Sequence, residues 1–345
     1  MFNRNYRNLV AVCVLGASVL VSGCVKISQD KQTPALLATV TADKKRLQDE
    51  VDRFARVTSM RAKMYLNFED NSFAQFGSKE VYRAADGEVV VQRPASILMK
   101  VKVPVIGSDV AQMTSDGVKF RVAILQDGGT GKYKKFVMGT NDADYSKLSE
   151  SIDLADGSPD AVAAKQVSAF SNLRPQHFTD AMLVRPIDAN SLYTHSTIFQ
   201  IEEDETVDKK SPIRKVTRGY YLLDEFVRGA DGSMTISRRF WFDRVGKIRL
   251  AKQQIFDSKG EISSDIVYGR EGSLTSSGEF TMPLEVSVTR PQEKYSMRLK
   301  YQTPETVMIG QVYPETAFVL ENSWDLEVLD LDKKLADMLA LKSGK

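Results

Sequence analysis

A two-residue hydrophobic period is clearest in RPASILMKVKVPVIGSDVAQMTSDGVKFRVAI, residues 93–124. Apolar side chains take every second position in two runs: Ile97, Met99 and Val101, then Phe120 and Val122. Charged residues stand between them, for example Lys100 and Arg121. Strict alternation is typical of a strand with one wet face and one apolar face. The segment therefore predicts antiparallel strands.

The same alternation recurs along the chain, at 284–289 and 295–301. Turn signals such as Asp86-Gly87, Asp116-Gly117 and Lys259-Gly260 separate such runs. Further strands are predicted near 61–68, 79–93, 132–138, 193–202, 214–227, 234–243, 247–256 and 263–269. The pattern thus predicts about a dozen antiparallel strands joined by short hairpins.

Helical spacing appears in three places. Thr33-Pro34 is a typical helix start, and helical periodicity continues to about Thr58. An insert at about 140–190 lacks alternation and is predicted to hold one helix over Asp160–Phe170 and a second at about 175–183. The tail from about 325 is predicted to end in a helix from Asp332. The fold class is therefore mainly β with helices (α+β).

The N-terminus resembles a bacterial lipoprotein signal. Arg4 and Arg7 precede an apolar run from Leu9 to Leu20, and the run ends in Val21-Ser22-Gly23-Cys24. This small-small-Cys ending is similar to the lipobox, where the thiol is acylated, for example with palmitate, and the chain is cut before it. The alternative is an uncleaved anchor helix that contains Cys13 and Cys24 as ordinary apolar residues.

The lipobox sets the predicted boundaries. Residues 1–23 are the signal peptide, 24–33 form a lipidated tether, and 34–345 form a single β domain. Acylated Cys24 would hold the protein in the membrane, because two or more acyl chains anchor stably. Val25 follows the cysteine where an aspartate would favour retention in the inner membrane. The predicted location is the bacterial envelope, at the outer membrane facing the periplasm.

Composition excludes several classes of partner. The chain has 47 basic and 45 acidic residues, and removal of the signal leaves 45 of each, so nucleic acid is not expected to bind. Cys13 leaves with the signal and Cys24 is acylated, so no thiol remains for a disulfide, a metal or catalysis. The two histidines, His177 and His195, lie far apart in the sequence. No metal and no cofactor is predicted.

No catalytic motif is present, so the protein is not expected to be an enzyme. The glycine-rich loop 126–131 lies between predicted strands with no helix behind it, which favours a hairpin rather than a phosphate loop. The acidic run 202–205 is interpreted as a solvated loop, and both histidines as structural or surface residues. A meander with one apolar face must still cover that face, either with a packed core or around a cavity that holds an acyl chain. The pattern alone leaves both readings open.

Three stretches, residues 93–124, 238–269 and 280–301, resemble the outer-membrane lipoprotein carrier superfamily (the LolA/LolB-like fold). The resemblance lies in the order of strands and turns: a strand ending in Ser-Asp-Gly, then Trp241-Phe242-Asp243 with its glycine turn, and a Pro-Leu-Glu-Val strand. It implies an unclosed antiparallel half-barrel with an N-terminal helix and a helical lid insert around an apolar cavity. This chain is longer than the usual carriers, and its counterparts of the lid-locking arginine and of the receptor's protruding apolar residue are not identified.

The resemblance implies a membrane-anchored lipoprotein that binds a lipid or acyl chain, in lipoprotein or lipid transport or sorting. The alternative is a non-catalytic structural or assembly lipoprotein that contacts other envelope proteins through exposed aromatics such as Trp324 and Tyr313. The candidate cavity wall comprises Ile97, Met99, Val101, Phe120, Val122, Phe240, Phe242, Val286, Met297 and Leu299. The inward face of strand 238–243 stays open, because Phe240 and Phe242 alternate with Trp241.

Overall fold

The structure, a computed structural model, describes residues 33–70, 80–102, 108–126, 134–145, 148 and 175–343. The predicted signal peptide, residues 24–32 of the predicted tether and the helix over Asp160–Phe170 lie outside the described residues. The described residues divide into two compact units. The first contains 33–36 and 201–217, and the second contains the described residues within 37–200 and 218–343.

The described residues form three α-helices, α1 Lys44–Ala55, α2 Gln176–Met182 and α3 Leu331–Ser343. The strands of the first half are β1 Ala35–Leu36, β2 Ser59–Asp70, β3 Glu80–Gln92, β4 Ser96–Lys102, β5 Asp109–Ser115, β6 Lys119–Ile124 and β7 Phe136–Thr140. Those of the second half are β8 Leu192–Glu203, β9 Lys215–Arg228, β10 Met234–Asp243, β11 Arg249–Phe256, β12 Ile262–Tyr268, β13 Glu271–Leu274, β14 Phe280–Pro283, β15 Glu285–Arg290, β16 Tyr295–Tyr301, β17 Met308–Ile309 and β18 Val328–Asp330.

One large unclosed sheet contains all these strands except the β13–β14 hairpin. Its order is β1-β9-β10-β11-β12-β15-β16-β2-β3-β4-β5-β6-β7-β18, with β8 also on β9 and β17 also on β2. Pairing is antiparallel except where β1 joins β9 and where β18 joins β7. The predicted strands are confirmed. The short strands β1, β13, β14, β17 and β18 carry too few residues to show a period.

The sheet of the larger unit is curled. Helix α2 touches both β4 and β15, which are four positions apart in the strand order. In a flat sheet these strands would lie about 19 Å apart, wider than one helix. Only a curved sheet brings both to the same short helix. The α+β class and the unclosed half-barrel architecture are therefore confirmed.

The N-terminal helix begins later than the sequence predicts. Helix α1 starts at Lys44, and the Asp43 side chain caps it by accepting a hydrogen bond from the Arg46 backbone N–H at 2.8 Å. The Thr33-Pro34 start was wrong because this segment is extended instead. The Val40 backbone N–H donates to the Arg244 carbonyl at 2.8 Å, a long-range partner that local spacing does not reveal. The predictions for α2 and for the C-terminal helix are confirmed within about two residues.

The apolar core lies between the helices and one face of the sheet. Helix α1 buries Leu47, Val51 and Phe54 there, and α2 buries Phe178 and Met182. Such burial is the main favourable term in folding, at about 25 cal/mol per Å² of apolar surface.

Replacing Phe54 should therefore destabilise the protein strongly. Phe54→Ala removes a fully buried ring that lies 5.7 Å from the Tyr268 ring, and we expect the free energy of unfolding to fall by about 3–5 kcal/mol. Tyr65→Ala, on the outer face of β2 where Tyr65 is exposed, is the matched aromatic control and should cost about 1 kcal/mol or less. Urea titration measures both, and equal losses would contradict this assignment of the core.

Candidate functional site

The predicted cavity-wall residues lie together on the covered face of the curled sheet. Nine of them are buried in the core cluster, and Val101 is half-buried against it. The open question about β10 is resolved: Phe240 and Phe242 point into the core, whereas the Trp241 indole bonds Gln254 on the other face. The described residues thus bring all ten side chains to one apolar face. Their role as the wall of a ligand cavity remains a prediction.

Methionine is a prominent component of this core. Seven buried methionines belong to the described cluster: Met60, Met64, Met99, Met113, Met182, Met282 and Met297. Methionine is flexible and polarizable, and it adapts to irregular apolar shapes. This composition gives an interior that can repack more readily than one built of branched side chains.

A small cavity lies beneath the helices in the part of the chain that the structure describes. A cavity of about 10 Å³ lies between α1, α2 and the sheet, lined by residues that include Phe54, Ala181, Met182 and Tyr268. A space of this size holds about one water molecule. An acyl chain therefore needs α2 or neighbouring side chains to move before it can lie here.

The segment after α2, residues 183–188, is here called the strap. It belongs to no helix or strand, so its backbone groups need partners from elsewhere. Arg93 supplies two of them, donating from Nη2 to the Val184 carbonyl at 2.7 Å and from Nη1 to the Leu183 carbonyl at 3.5 Å. Its Nε donates to the Val57 carbonyl just beyond α1 at 2.9 Å. One guanidinium thus ties the ends of both covering helices to the β3–β4 turn.

Arg238 holds the middle of the strap. Its guanidinium donates to the carbonyls of Arg185 and Pro186 at 2.9 and 3.0 Å, and it also forms a buried ion pair with Glu225. The Tyr193 hydroxyl donates to Glu225 at 2.7 Å. The strap is therefore fixed by buried charges rather than by a β-ladder.

Two backbone N–H groups complete the attachment of the strap. The Ile187 N–H donates to the Asp52 carboxylate of α1, and the Asp188 N–H donates to the Tyr193 hydroxyl, both at 3.0 Å. Helix α1, the strap and the sheet are thereby connected in one hydrogen-bond network.

A groove of about 750 Å³ opens beside the strap. Its apolar lining includes Pro94, Pro186, Ile187 and Val227, and polar groups from Ser191, Ser237, Asp188, Arg93, Arg238 and Glu225 share it. Arg185 also lines the groove, with half of its side chain exposed, 3.7 Å from Asp180. The groove lies within the range of about 300–1,000 Å³ that is typical of small-molecule sites.

Burial and the ion pair shift the titration of this network. Burial alone would raise the pKa of Glu225, but the hydrogen bonds and charge of Arg238, helped by the Tyr193 hydroxyl, lower it overall. Burial and the Glu225 carboxylate raise the pKa of Tyr193 to about 12. At neutral pH the arrangement is therefore an ion pair with a neutral tyrosine.

The histidines take different positions. His177 of α2 is buried, and its Nδ1 shares a hydrogen bond with the Tyr295 hydroxyl of β16. His195 lies exposed on β8.

Within the described ranges, no group of three or more His, Cys, Asp or Glu side chains is placed to hold a metal ion. In the same ranges, no helix is both long and apolar enough to span a bilayer.

Sequence reasoning missed the arginines that hold the strap. Arg93 is the first residue of the alternating segment 93–124. Its partners in the strap are backbone carbonyls about 90 residues away, and such contacts do not show in the hydrophobic pattern. Arg238 and Arg239 are neighbours with the same chemistry, and only the orientation of β10 distinguishes them. The half-buried Arg93 joins the ends of the covering helices.

No family model matches the sequence, and no curated protein matches it. Solved structures do overlap with it. A LolA superfamily protein from Nitrosomonas europaea aligns over 81% of this chain and 99% of its own, at 10% identity and a TM-score of 0.40.

Two further structures align similarly. A domain from Vibrio parahaemolyticus assigned to outer membrane lipoprotein sorting covers 79% of this chain and 96% of its own, at 12% identity and a TM-score of 0.37. A DUF1329 family protein from Desulfovibrio piger covers 81% and 96%, at 11% identity and a TM-score of 0.38. The first of these structures bears the name of the superfamily that the sequence resembles.

Adjacent arginines on β10 should differ sharply in their effect on stability. Arg238 and Glu225 are both 4% exposed, so Arg238→Met leaves a buried carboxylate unpaired and should cost about 3–5 kcal/mol of unfolding free energy. Arg239 pairs with Asp224 on the outer face and is 31% exposed, so Arg239→Met should cost about 1 kcal/mol or less. Chemical denaturation compares the two, and similar losses would refute the proposed fixing role of Arg238.

The stabilising contribution of Glu225 to the folded protein should be lost in acid. Its pKa is lowered in the folded state, so its contribution is complete above the unfolded value of about 4.3 and is lost as pH falls through the folded value. We expect the difference in unfolding free energy between wild type and Glu225→Gln to be largest near neutral pH and to shrink below about pH 4. Denaturation across pH 3–7 measures this, and a pH-independent difference would contradict it.

Proposed function

We propose that this chain is a membrane-anchored envelope lipoprotein whose apolar sheet face binds a lipid or acyl chain. The observation that carries the proposal is the cover over that face. Two short helices and a strap lie on the methionine-rich face, and the buried Arg238 and the half-buried Arg93, rather than a closed barrel, hold the strap in place. A cover of this kind can be lifted without breaking the sheet.

The groove beside the strap is the proposed entrance. Its apolar lining, Pro94, Pro186, Ile187 and Val227, suits the start of an acyl chain. The half-exposed Arg185 guanidinium at the same groove suits an anionic headgroup, because arginine binds phosphate and carboxylate in a bidentate manner. An amphiphile with one long chain matches both features.

The energy of such binding is reasonable. Burying about 14 CH₂ groups contributes about 11 kcal/mol, at about 0.8 kcal/mol each. Association itself costs about 4–15 kcal/mol, and displacing the cover adds to that cost. Several kcal/mol remain when the association cost lies near the lower end of that range, which suits a protein that accepts and releases its ligand.

Anchoring and location follow from the lipobox. Acylated Cys24 would fix the mature chain to the membrane. Position 25 is a valine rather than an aspartate, which favours the outer membrane facing the periplasm. We assign no catalytic step, and the proposed role is non-enzymatic transport or sorting of lipids or lipoproteins.

The small size of the cavity beneath the helices supports a second candidate function. Because the cavity beneath the helices is only about 10 Å³, the face could serve solely as a core. The chain would then be an assembly lipoprotein that contacts envelope partners through surface aromatics, of which Trp324 is exposed and Tyr313 half-buried. Recovery of one stoichiometric envelope partner with no extractable lipid would favour this role.

A photoactivatable fatty acid tests the lipid-binding proposal. We expect its crosslinks, after illumination with the full chain in vesicles, to map by mass spectrometry to β4, β15 and β16. Arg93→Met loosens the strap and should raise the yield about threefold, since a minor open state limits apparent affinity. Arg239→Met is the matched control and should leave the yield unchanged. Absence of crosslinks on these strands in all three proteins, with no lipid in an organic extract, would overturn the proposal.

A further inference from the structure

The smaller unit of the chain is also the part nearest to the predicted anchor. Its described residues are 33–36 and 201–217, which comprise β1 and the turn of the β8–β9 hairpin. Strand β1 pairs in parallel with β9, with Ala35 opposite Val216 and Leu36 opposite Thr217. The chain that leaves Cys24 is therefore fastened to this hairpin before it continues to α1.

The length of the connection keeps this unit close to the membrane. Eight residues separate Cys24 from Thr33, which makes nine residue steps, and an extended chain spans at most about 3.3–3.6 Å per residue. If Cys24 is acylated, Thr33 lies within about 30 Å of the lipid surface. This step rests on the proposed anchoring.

This unit also exposes three large aliphatic side chains. Leu36, Ile201 and Ile213 are each 66% exposed. Single exposed apolar residues are ordinary, but several on one small unit mark an interaction site. The unit nearest the anchor thus offers its apolar side chains to its surroundings.

The hairpin turn presents these side chains from a fixed backbone. The Asp204 N–H donates to the Arg214 carbonyl at 2.8 Å, and Arg214 donates to the Val207 carbonyl at 2.6 Å and to Glu203 at 2.9 Å. Ordering the turn before contact lowers the entropic cost of binding.

The charge balance of residues 201–217 indicates what kind of surface this unit would contact. Residues 201–217 contain five acidic and four basic residues, and Arg214 is already paired with Glu203. The exposed Lys209, Lys210 and Lys215 can reach lipid phosphates, but near-neutrality rules out a contact driven mainly by charge. An apolar contact with a lipid surface fits this composition, as for segments that lie in the membrane interface.

We propose that Leu36, Ile201 and Ile213 insert into the interfacial layer of the bilayer that holds acylated Cys24. The protein then has two membrane contacts, one covalent lipid and one hairpin. The second contact restricts how the anchored chain can turn on its tether.

Single thiols allow a direct test, because the sequence contains only Cys13 and Cys24. Ile201→Cys and Ile213→Cys are labelled with an environment-sensitive dye in the acylated full chain, in vesicles of phosphatidylethanolamine and phosphatidylglycerol. Val118→Cys and Val312→Cys are the controls, at positions 65% and 84% exposed in the larger unit. Leu36→Cys replaces either hairpin variant if its melting temperature falls.

Brominated lipids should quench the two hairpin dyes at least about twofold, and the control dyes little, in low and high salt alike. Unquenched hairpin dyes, or equal quenching at all four positions, would overturn the inference. Vesicle flotation and the mass of the N-terminal peptide report anchoring separately. A floating, acylated protein with unquenched hairpin dyes would refute the hairpin contact and leave the anchor standing.

Discussion

A sheet that does not close on itself must cover its apolar face by other means. In this protein α1 and α2 supply the apolar cover, but Arg93 and Arg238 determine where that cover lies. Hydrophobic burial has no direction, whereas each guanidinium fixes carbonyls of the strap at hydrogen-bond distance. The two side chains fix the strap that follows α2, and both also line the groove beside it.

The strands were predictable because each repeats a local rule. The alternation of apolar and polar residues in 93–124 and 284–301 can be recognised from neighbouring residues alone. The observed strands follow it closely. The start of α1 was not predictable in the same way. Thr33-Pro34 has the local chemistry of a helix start, but pairing of Ala35 and Leu36 with β9 overrides it. A strand partner about 180 residues away leaves no mark on the local pattern.

For the candidate site, the sequence predicted the apolar face but not the arginines that hold the strap. Once Phe240 and Phe242 are placed inside, the two-residue period puts Arg238 on the same face and Arg239 on the opposite one. The period does not reveal that Arg238 binds Glu225 and the carbonyls of the strap. Arg239 faces Asp224 instead. Buried charges that act on backbone groups are determined by tertiary contacts, so sequence spacing alone does not reveal them.

The covering helices and the proposed ligand compete for the apolar face of the sheet. A bound acyl chain would replace contacts that α2 and the methionines now make with the sheet, so its net affinity is the difference between two similar apolar burials. The polar bonds of the strap then set that difference, because breaking them is the cost that the ligand must offset. Hydrogen bonds from charged donors contribute about 1.5–3 kcal/mol each, so a few of them change affinity by orders of magnitude. In the proposed function, a strap tied by two arginines would therefore regulate binding without altering the apolar face itself.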